Sequence, residues 1–301
     1  MLRMLFINRR KCADESALIL VMRCLMRLKR LILASSAAFF ALSSTAFANK
    51  PTDGGWWLQE SATPVMDELI KLHNFVFIII TIITLFVMVL MGWIMFRYSA
   101  KRNPVPSKTT HHVGLEVAWT IVPIIILLIM VVPSMRLLYM QDALPETEMT
   151  IKVTGNTWNW EYAYPDHPNV EAFISNPVEK EDAGDLYLLK TDAPLVVPVD
   201  TKIKVLVTSS NNLHAFAVPA FGVKMDAVPG RINETWFHVH PGKEGTYFGQ
   251  CSELCGTFHY KMPIEVEVVS KAQFASWVAN DGAFTKSVAL LGGGTATAAQ
   301  E

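Results

Sequence analysis

The sequence predicts an α + β membrane protein, with an N-terminal two-helix transmembrane hairpin followed by a small all-β domain. Three observations predict it. Two long runs, Phe75 to Phe96 and Val117 to Met135, contain no charged residue. The short loop between them is basic. Beyond about Gln141 the helical apolar period gives way to short alternating runs separated by Pro, Gly, Asn and Asp, the pattern of a β sandwich or Greek-key barrel.

The chain opens with a basic leader. Met26-Arg27-Leu28-Lys29-Arg30 is followed by an apolar stretch from Leu31 to about Leu42 and by small residues ending Ala46-Phe47-Ala48. A charged segment, an apolar segment too short to span a bilayer and an A-x-A site together read as a secretory signal peptide. Cleavage is expected after Ala48, so residues 1–48 would be removed. Met26 is a candidate true start, with residues 1–25 an upstream extension. The alternative is a basic amphipathic leader with a role of its own. Cys12 and Cys24 lie in the removed part, which leaves Cys251 and Cys255 as the thiols of the mature chain.

Residues 49–140 are expected to hold the N-terminal segment and the hairpin. Each apolar run is long enough to cross a hydrocarbon core at about 1.5 Å per residue. The loop from Arg97 to His112 carries Arg97, Lys101, Arg102 and Lys108 and no acidic residue. The positive-inside rule makes it cytoplasmic, with both termini and everything after about Arg136 on the outer face. The signal peptide demands the same orientation. Pro104 and Pro106 keep either helix from continuing through the loop. Glu116 stands at the cytoplasmic start of the second helix. It is either a helix N-terminal carboxylate favoured by the macrodipole or a proton-entrance group at the membrane edge.

Residues 141–270 are expected to form the β domain. Strands are expected at Met149–Val153, Leu186–Leu189, Leu195–Val199, Ile203–Val207, Thr235–Val239 and Ile264–Val269. Residues 271–301 read as a short helix, Lys271–Ala279 with Phe274 and Trp277, and then a Gly-, Ala- and Thr-rich tail. The net charge of −1 hides an asymmetry. Residues 141–301 hold 20 Asp and Glu against 11 Lys and Arg. Such a surface disfavours nucleic acid and attracts basic partners, although solubility alone also explains surface charge.

The chemistry concentrates in Gly249-Gln250-Cys251-Ser252-Glu253-Leu254-Cys255-Gly256-Thr257-Phe258-His259-Tyr260-Lys261-Met262. A Cys251–Cys255 disulfide is permitted in an exported domain, but so small a loop gains little from closure. It would also leave His259 and Met262 unexplained. As ligands, two thiols, an imidazole and a thioether are soft donors that select copper; zinc tolerates Cys and His but seldom uses Met. One thiolate exceeds the mononuclear blue-copper set, and two can bridge two copper ions. A second imidazole is then needed. His214, at an apolar strand end, is the best candidate. His238 and His240 read as exposed strand residues, His167 as a loop residue, and His111 and His112 lie on the cytoplasmic side.

With these residues assembled, the chain resembles subunit II of the haem-copper cytochrome c oxidases. The resemblance rests on the hairpin, on Gly114-Leu115-Glu116-Val117-Ala118-Trp119-Thr120-Ile121-Val122-Pro123, Trp158-Asn159-Trp160-Glu161-Tyr162, Leu213-His214-Ala215-Phe216 and Lys224-Met225-Asp226-Ala227-Val228-Pro229-Gly230-Arg231, and on the CxExCxxxHxxM motif. It implies a cupredoxin-like Greek-key β-barrel carrying a binuclear CuA centre. Cys251 and Cys255 would bridge the coppers, His214 and His259 would cap one each, Met262 would be a weak ligand, and the Glu253 backbone carbonyl would complete the other copper. The Glu253 side chain would reach a magnesium site shared with subunit I. Trp158 would be where the donor's electron enters, and Glu116 the entrance of a proton path into subunit I.

The implied function is to accept electrons from cytochrome c and pass them to haem in subunit I, where oxygen is reduced and protons are pumped. Subunit I and subunit III are the implied protein partners. The implied location is a bacterial inner membrane, with the copper domain on the periplasmic side. No C-x-x-C-H is present, so no fused cytochrome c domain is expected. Asp192 and Glu161 are candidates for the docking face. Asn211 departs from a docking Asp common in relatives, and Ala163 from a Glu. Three rivals remain: a quinol oxidase subunit, which lacks the copper ligands; the copper domain of nitrous oxide reductase, which lacks the hairpin; and a disulfide-bonded assembly or copper-delivery module.

Overall fold

The computed structural model describes residues 50–283 apart from 53 and 106. The expected signal peptide and the tail beyond residue 283 lie outside the described residues. Helix α1 spans Pro64–Arg97. Thr63 caps it by accepting a hydrogen bond from the Met66 amide, and Pro64 fills the first turn, where its missing N–H is not needed. Helix α2 spans Val113–Asp142, and the His112 ring accepts from the Leu115 amide at its start. The apolar sides of both helices are bare: Phe86, Val89 and Val132 are each about two-thirds exposed or more. An apolar surface of this extent on 34- and 30-residue helices is stable only with lipid as solvent. The chain is a membrane protein.

The β domain is built from ten strands: β1 Met149–Asn156, β2 Asn159–Ala163, β3 Phe173–Ser175, β4 Leu195–Pro198, β5 Lys202–Ser209, β6 His214–Val218, β7 Val223–Ala227, β8 Asn233–His238, β9 Gly245–Gln250 and β10 Pro263–Val269. One sheet runs β3-β2-β1-β5-β8, a second β4-β10-β9, and β6 with β7 forms a ribbon. The β1–β5 and β4–β10 pairs are parallel, so each requires a crossover. Alternation sets the register. Met149, Ile151 and Val153 of β1 and Ile203, Val205 and Val207 of β5 all face one core. The second sheet contributes Leu195, Val197, Ile264, Val266 and Val268 to the same core. Tyr164 joins the strands across it, its hydroxyl donating to the Val196 carbonyl at 2.8 Å.

Two expectations fail. Leu186–Leu189 is not a strand. A one-turn helix α3, Lys180–Ala183, leads into a 3-10 turn at Gly184–Leu186, and the following residues turn back through Leu188 at φ +70°. Its run of apolar residues carried no partner strand to pair with. His240 lies beyond β8 rather than within it, and both His238 and His240 are half-buried. His238 Nε2 meets Asp200 Oδ1 at 3.1 Å, and His240 Nε2 meets Asp67 Oδ2 of α1 at 2.9 Å. The expected C-terminal helix is present as α4, Lys271–Ala279, with a Ser270–Gln273 capping box and with Phe274 and Trp277 buried.

The β domain is fastened to the hairpin. The Ala62 amide donates to the Ala220 carbonyl at 3.0 Å, and the His240 amide donates to the Ala62 carbonyl at 2.9 Å. The buried Thr63 hydroxyl donates to the Phe221 carbonyl at 2.7 Å. Trp236 Nε1 donates to the Met140 carbonyl of α2 at 3.2 Å.

Candidate metal centre

The motif segment is the loop between β9 and β10. Cys251 follows β9 directly and Met262 precedes β10. The loop is closed at its base by the Cys251 amide donating to the Met262 carbonyl at 3.0 Å, and Ser252 N donates to the Ala215 carbonyl of β6 at 3.0 Å. That second bond sets the loop beside the start of β6, where His214 stands. The ribbon can approach β9 this closely because position 249 is glycine. A Cβ there would sit 2.0 Å from the Ala217 carbonyl oxygen.

Cys251 Sγ and Cys255 Sγ lie 3.8 Å apart and are not bonded. His214 Nδ1 is 3.8 Å from Cys251 Sγ, and His259 Nδ1 is 3.6 Å from Cys255 Sγ. The potential ligand atoms of His214, Cys251 and Cys255 all lie within 4.8 Å of one another, and all three residues are buried. The Glu253 carbonyl oxygen is 3.3 Å from Cys251 Sγ, while the Glu253 side chain is exposed. Met262 is fully buried in the adjoining core. Each expected copper ligand is therefore at this loop or beside it.

The imidazole of His214 is held on three sides. Asn211 Oδ1 lies 3.3 Å from Nε2, so the tautomer protonated at Nε2 donates there and leaves Nδ1 bare, toward the sulfurs. Trp160 packs edge-on at 6.0 Å between centroids. Gly155 backs the ring; an added Cβ would meet its carbons at 2.9 to 3.1 Å. Burial, with His259 nearby, lowers the His214 pKa, which favours the neutral ring a metal requires. Burial pushes the Cys255 thiol up to about 12, with the neighbouring Cys251 adding to the shift. The Cys255 thiolate therefore forms in this setting with a cation beside it. The donor set thus fits a soft metal.

Trp158 stands at the edge of the loop, half-buried. Its Nε1 donates to the Cys255 carbonyl at 3.3 Å, and Asn212 Nδ2 donates to the same carbonyl at 3.2 Å. Phe258 meets the Trp158 ring edge-on at 4.9 Å. Trp160 is the core partner of the pair. Glu116 is far along the chain, in the first turn of α2 at the opposite end from Met140. Asp192 is committed to Asn176, accepting from its amide at 2.7 Å and its side chain at 3.0 Å. Glu161 is half-buried on β2. His167 is a loop residue, its ring against Phe274. The sequence did not reveal Asn212 or Gly155 as members of this neighbourhood, and it raised Asn211 as a docking position rather than as the partner of the His214 ring. A bare Ser-Ser-Asn-Asn turn carries no sign of what it will face.

The family models for cytochrome c oxidase subunit II match the chain twice: the transmembrane domain over residues 51–137 and the periplasmic domain over residues 149–269. The chain belongs to the cytochrome c oxidase subunit II family. It is similar to a probable cytochrome c oxidase subunit 2 from Rickettsia felis, 48% identical over 245 residues, or 80% of this chain and 76% of the relative. It is also similar to cytochrome c oxidase subunit 2 of Cereibacter sphaeroides, 42% identical over 265 residues, or 82% and 87%. Among solved structures, the periplasmic domain of subunit II from Bradyrhizobium japonicum is 48% identical, covering 46% of this chain and 96% of that one at a TM-score of 0.42. Subunit II proteins are parts of an oxidoreductase complex. The two helices and the β domain described above are the layout that the two family models divide between them.

Proposed function

We propose that this chain is the electron-accepting subunit of a cytochrome c oxidase, taking single electrons from a c-type cytochrome and delivering them to haem in subunit I. The observation that carries the reading is the convergence of two unbonded, buried thiols with imidazoles on separate segments, at 3.6 to 3.8 Å. A binuclear copper centre held by Cys251, Cys255, His214, His259, Met262 and the Glu253 carbonyl would supply one-electron redox chemistry shared over two ions.

The chain's own residues supply the rest. Strands β6, β9 and β10 fix the ligand atoms before metal arrives, so little rearrangement accompanies a change of charge. Asn211 and Gly155 hold the His214 ring at one angle. The buried core around Met262 excludes water. Trp158 joins the surface to the ligand loop through its bond to the Cys255 carbonyl, a short covalent and hydrogen-bonded connection for an arriving electron. The acidic excess of residues 141–301 attracts a basic donor and speeds encounter at low salt. By resemblance, Glu116 serves proton uptake into subunit I, and the exposed Glu253 carboxylate serves a magnesium ion at the same interface. The β domain then faces the periplasm and the basic loop faces the cytoplasm.

A zinc site with two thiolates and two imidazoles is the second chemistry that the donor set allows. Copper added to the reduced, metal-stripped full chain in detergent separates them. Two equivalents bound, a purple colour and an electron spin signal split by both nuclei support the reading. Uptake of a single equivalent, or a colourless product, would sink it.

A further inference from the structure

The ends of α1 and α2 nearest the β domain enclose a cleft of about 790 Å³, within the ~300–1,000 Å³ usual for small-molecule sites. Its walls include Leu72 and Phe75 of α1 and Val132 of α2, and its rim carries Lys71 and Arg136 together with Asp67 and Glu68. Three of those four charges have partners. Lys71 Nζ is 2.7 Å from Glu68 Oε1, and Asp67 is engaged by His240. Arg136 is exposed and takes part in no ion pair among the described residues.

The depth of the cleft is readable. Arg136 directly follows the uncharged run that ends at Met135, and Lys71 precedes Phe75 by four residues, about 6 Å along the helix. Trp57 lies at the same level, its Nε1 donating to Asn74 Oδ1 at 3.0 Å and its ring edge-on to His73 and Phe77. A half-exposed indole with a polar handle marks the boundary between water and hydrocarbon. Both cations are therefore at the level of lipid headgroups, and the apolar walls run below them.

We propose that this cleft binds a phospholipid of the leaflet nearest the β domain, with its phosphate on Arg136 and an acyl chain against Leu72, Phe75 and Val132. A guanidinium at this depth has lost part of its water and gains from a planar two-point contact with an anionic oxygen pair. A phosphodiester supplies that contact without protonation. Free phosphate would meet the same guanidinium but leave the apolar walls bare, so the lipid is the occupant that satisfies both halves of the cleft. This inference is independent of the copper reading, because no residue of the cleft belongs to the ligand loop.

The test uses the intact oxidase complex, purified, delipidated and supplied with phosphatidylglycerol bearing a diazirine on its acyl chain. After illumination, label is expected in the peptides containing Leu72–Phe75 and Val132–Arg136. Unlabelled phosphatidylglycerol should compete and inorganic phosphate should not. Arg136→Gln should cut the labelling about tenfold while Arg136→Lys keeps most of it, since a point charge still attracts the phosphate. Val132→Trp fills the cleft without altering its charge and should also remove the label, which keeps the test decisive if Arg136→Gln fails to assemble. Equal labelling of wild type and Arg136→Gln would overturn the proposal. So would a benzoylphenylalanine at position 72 that captures a neighbouring polypeptide in place of lipid.

Discussion

Gly155→Ala tests whether the ligand geometry is set by packing behind the imidazole. The new methyl would meet the His214 ring carbons Cδ2, Cγ and Cβ at 2.9, 3.0 and 3.1 Å. Carbon atoms are at ease at about 3.5 Å or more, so the ring has to move by about 0.5 Å. It has little freedom to do so. His214 is fully buried, Trp160 packs at its edge and Asn211 holds Nε2. Overpacking of this kind costs roughly 1–3 kcal/mol, and a ligand displaced by about 0.5 Å is at the limit that a preorganised site tolerates. The expected outcome is a lowered melting temperature together with reduced copper retention or an altered visible spectrum. Thermal melts of the metal-free chain and copper analysis of the loaded chain read the two effects separately. Gly92→Ala, with no atom within 4 Å of the added carbon, is the matched control. A Gly155→Ala protein with wild-type copper content and spectrum would refute the claim that the ring is wedged from behind.

Three further outcomes follow from named contacts. Trp158→Ala should slow electron transfer from cytochrome c by tenfold or more, about 1.4 kcal/mol in barrier, without loss of copper; stopped-flow oxidation of the cytochrome measures it, and an unchanged rate removes Trp158 from the path. Glu267 is raised to about 7 by burial and by its neighbour Glu265. Its protonated form is favoured in the fold, so its contribution is present below pH 4.5 and is lost as pH rises through about 7. Glu267→Gln should therefore stabilise the chain at pH 8 by on the order of 1 kcal/mol, less than the full shift implies because the carboxylate is partly exposed; no gain in denaturant midpoint at pH 8 over pH 4.5 contradicts it. Thr63→Val removes both the α1 cap and the buried bond to the Phe221 carbonyl, at a cost of about 2–4 kcal/mol. Limited proteolysis between residues 50 and 63 should accelerate, and protection equal to wild type would show that this contact does not fasten the hairpin.

The sequence alone determined the hairpin, because twenty or so uncharged apolar residues have one favourable solvent. Its alternation also determined two of the central strands. Met149–Val153 and Ile203–Val207 are legible because each must present every second side chain to one core. The candidate ligand residues were legible because thiol, imidazole and thioether at fixed spacings are rare together. Strands β2, β3, β7 and β9 were not read: β2 and β7 alternate but are only five residues each, β3 is three residues long, and β9 buries Tyr247, Phe248 and Gly249 in succession rather than alternately. Leu186–Leu189 shows the converse: apolar residues without a partner edge make a turn. Which faces meet was decided by tertiary structure. Only the folded chain brings Asn211 onto the ring of His214, sets Gly155 behind it, and joins Asp67 of α1 to His240 beyond β8. Those contacts depend on two crossovers and a ribbon. Packing chooses among long-range pairings that a linear pattern leaves equal.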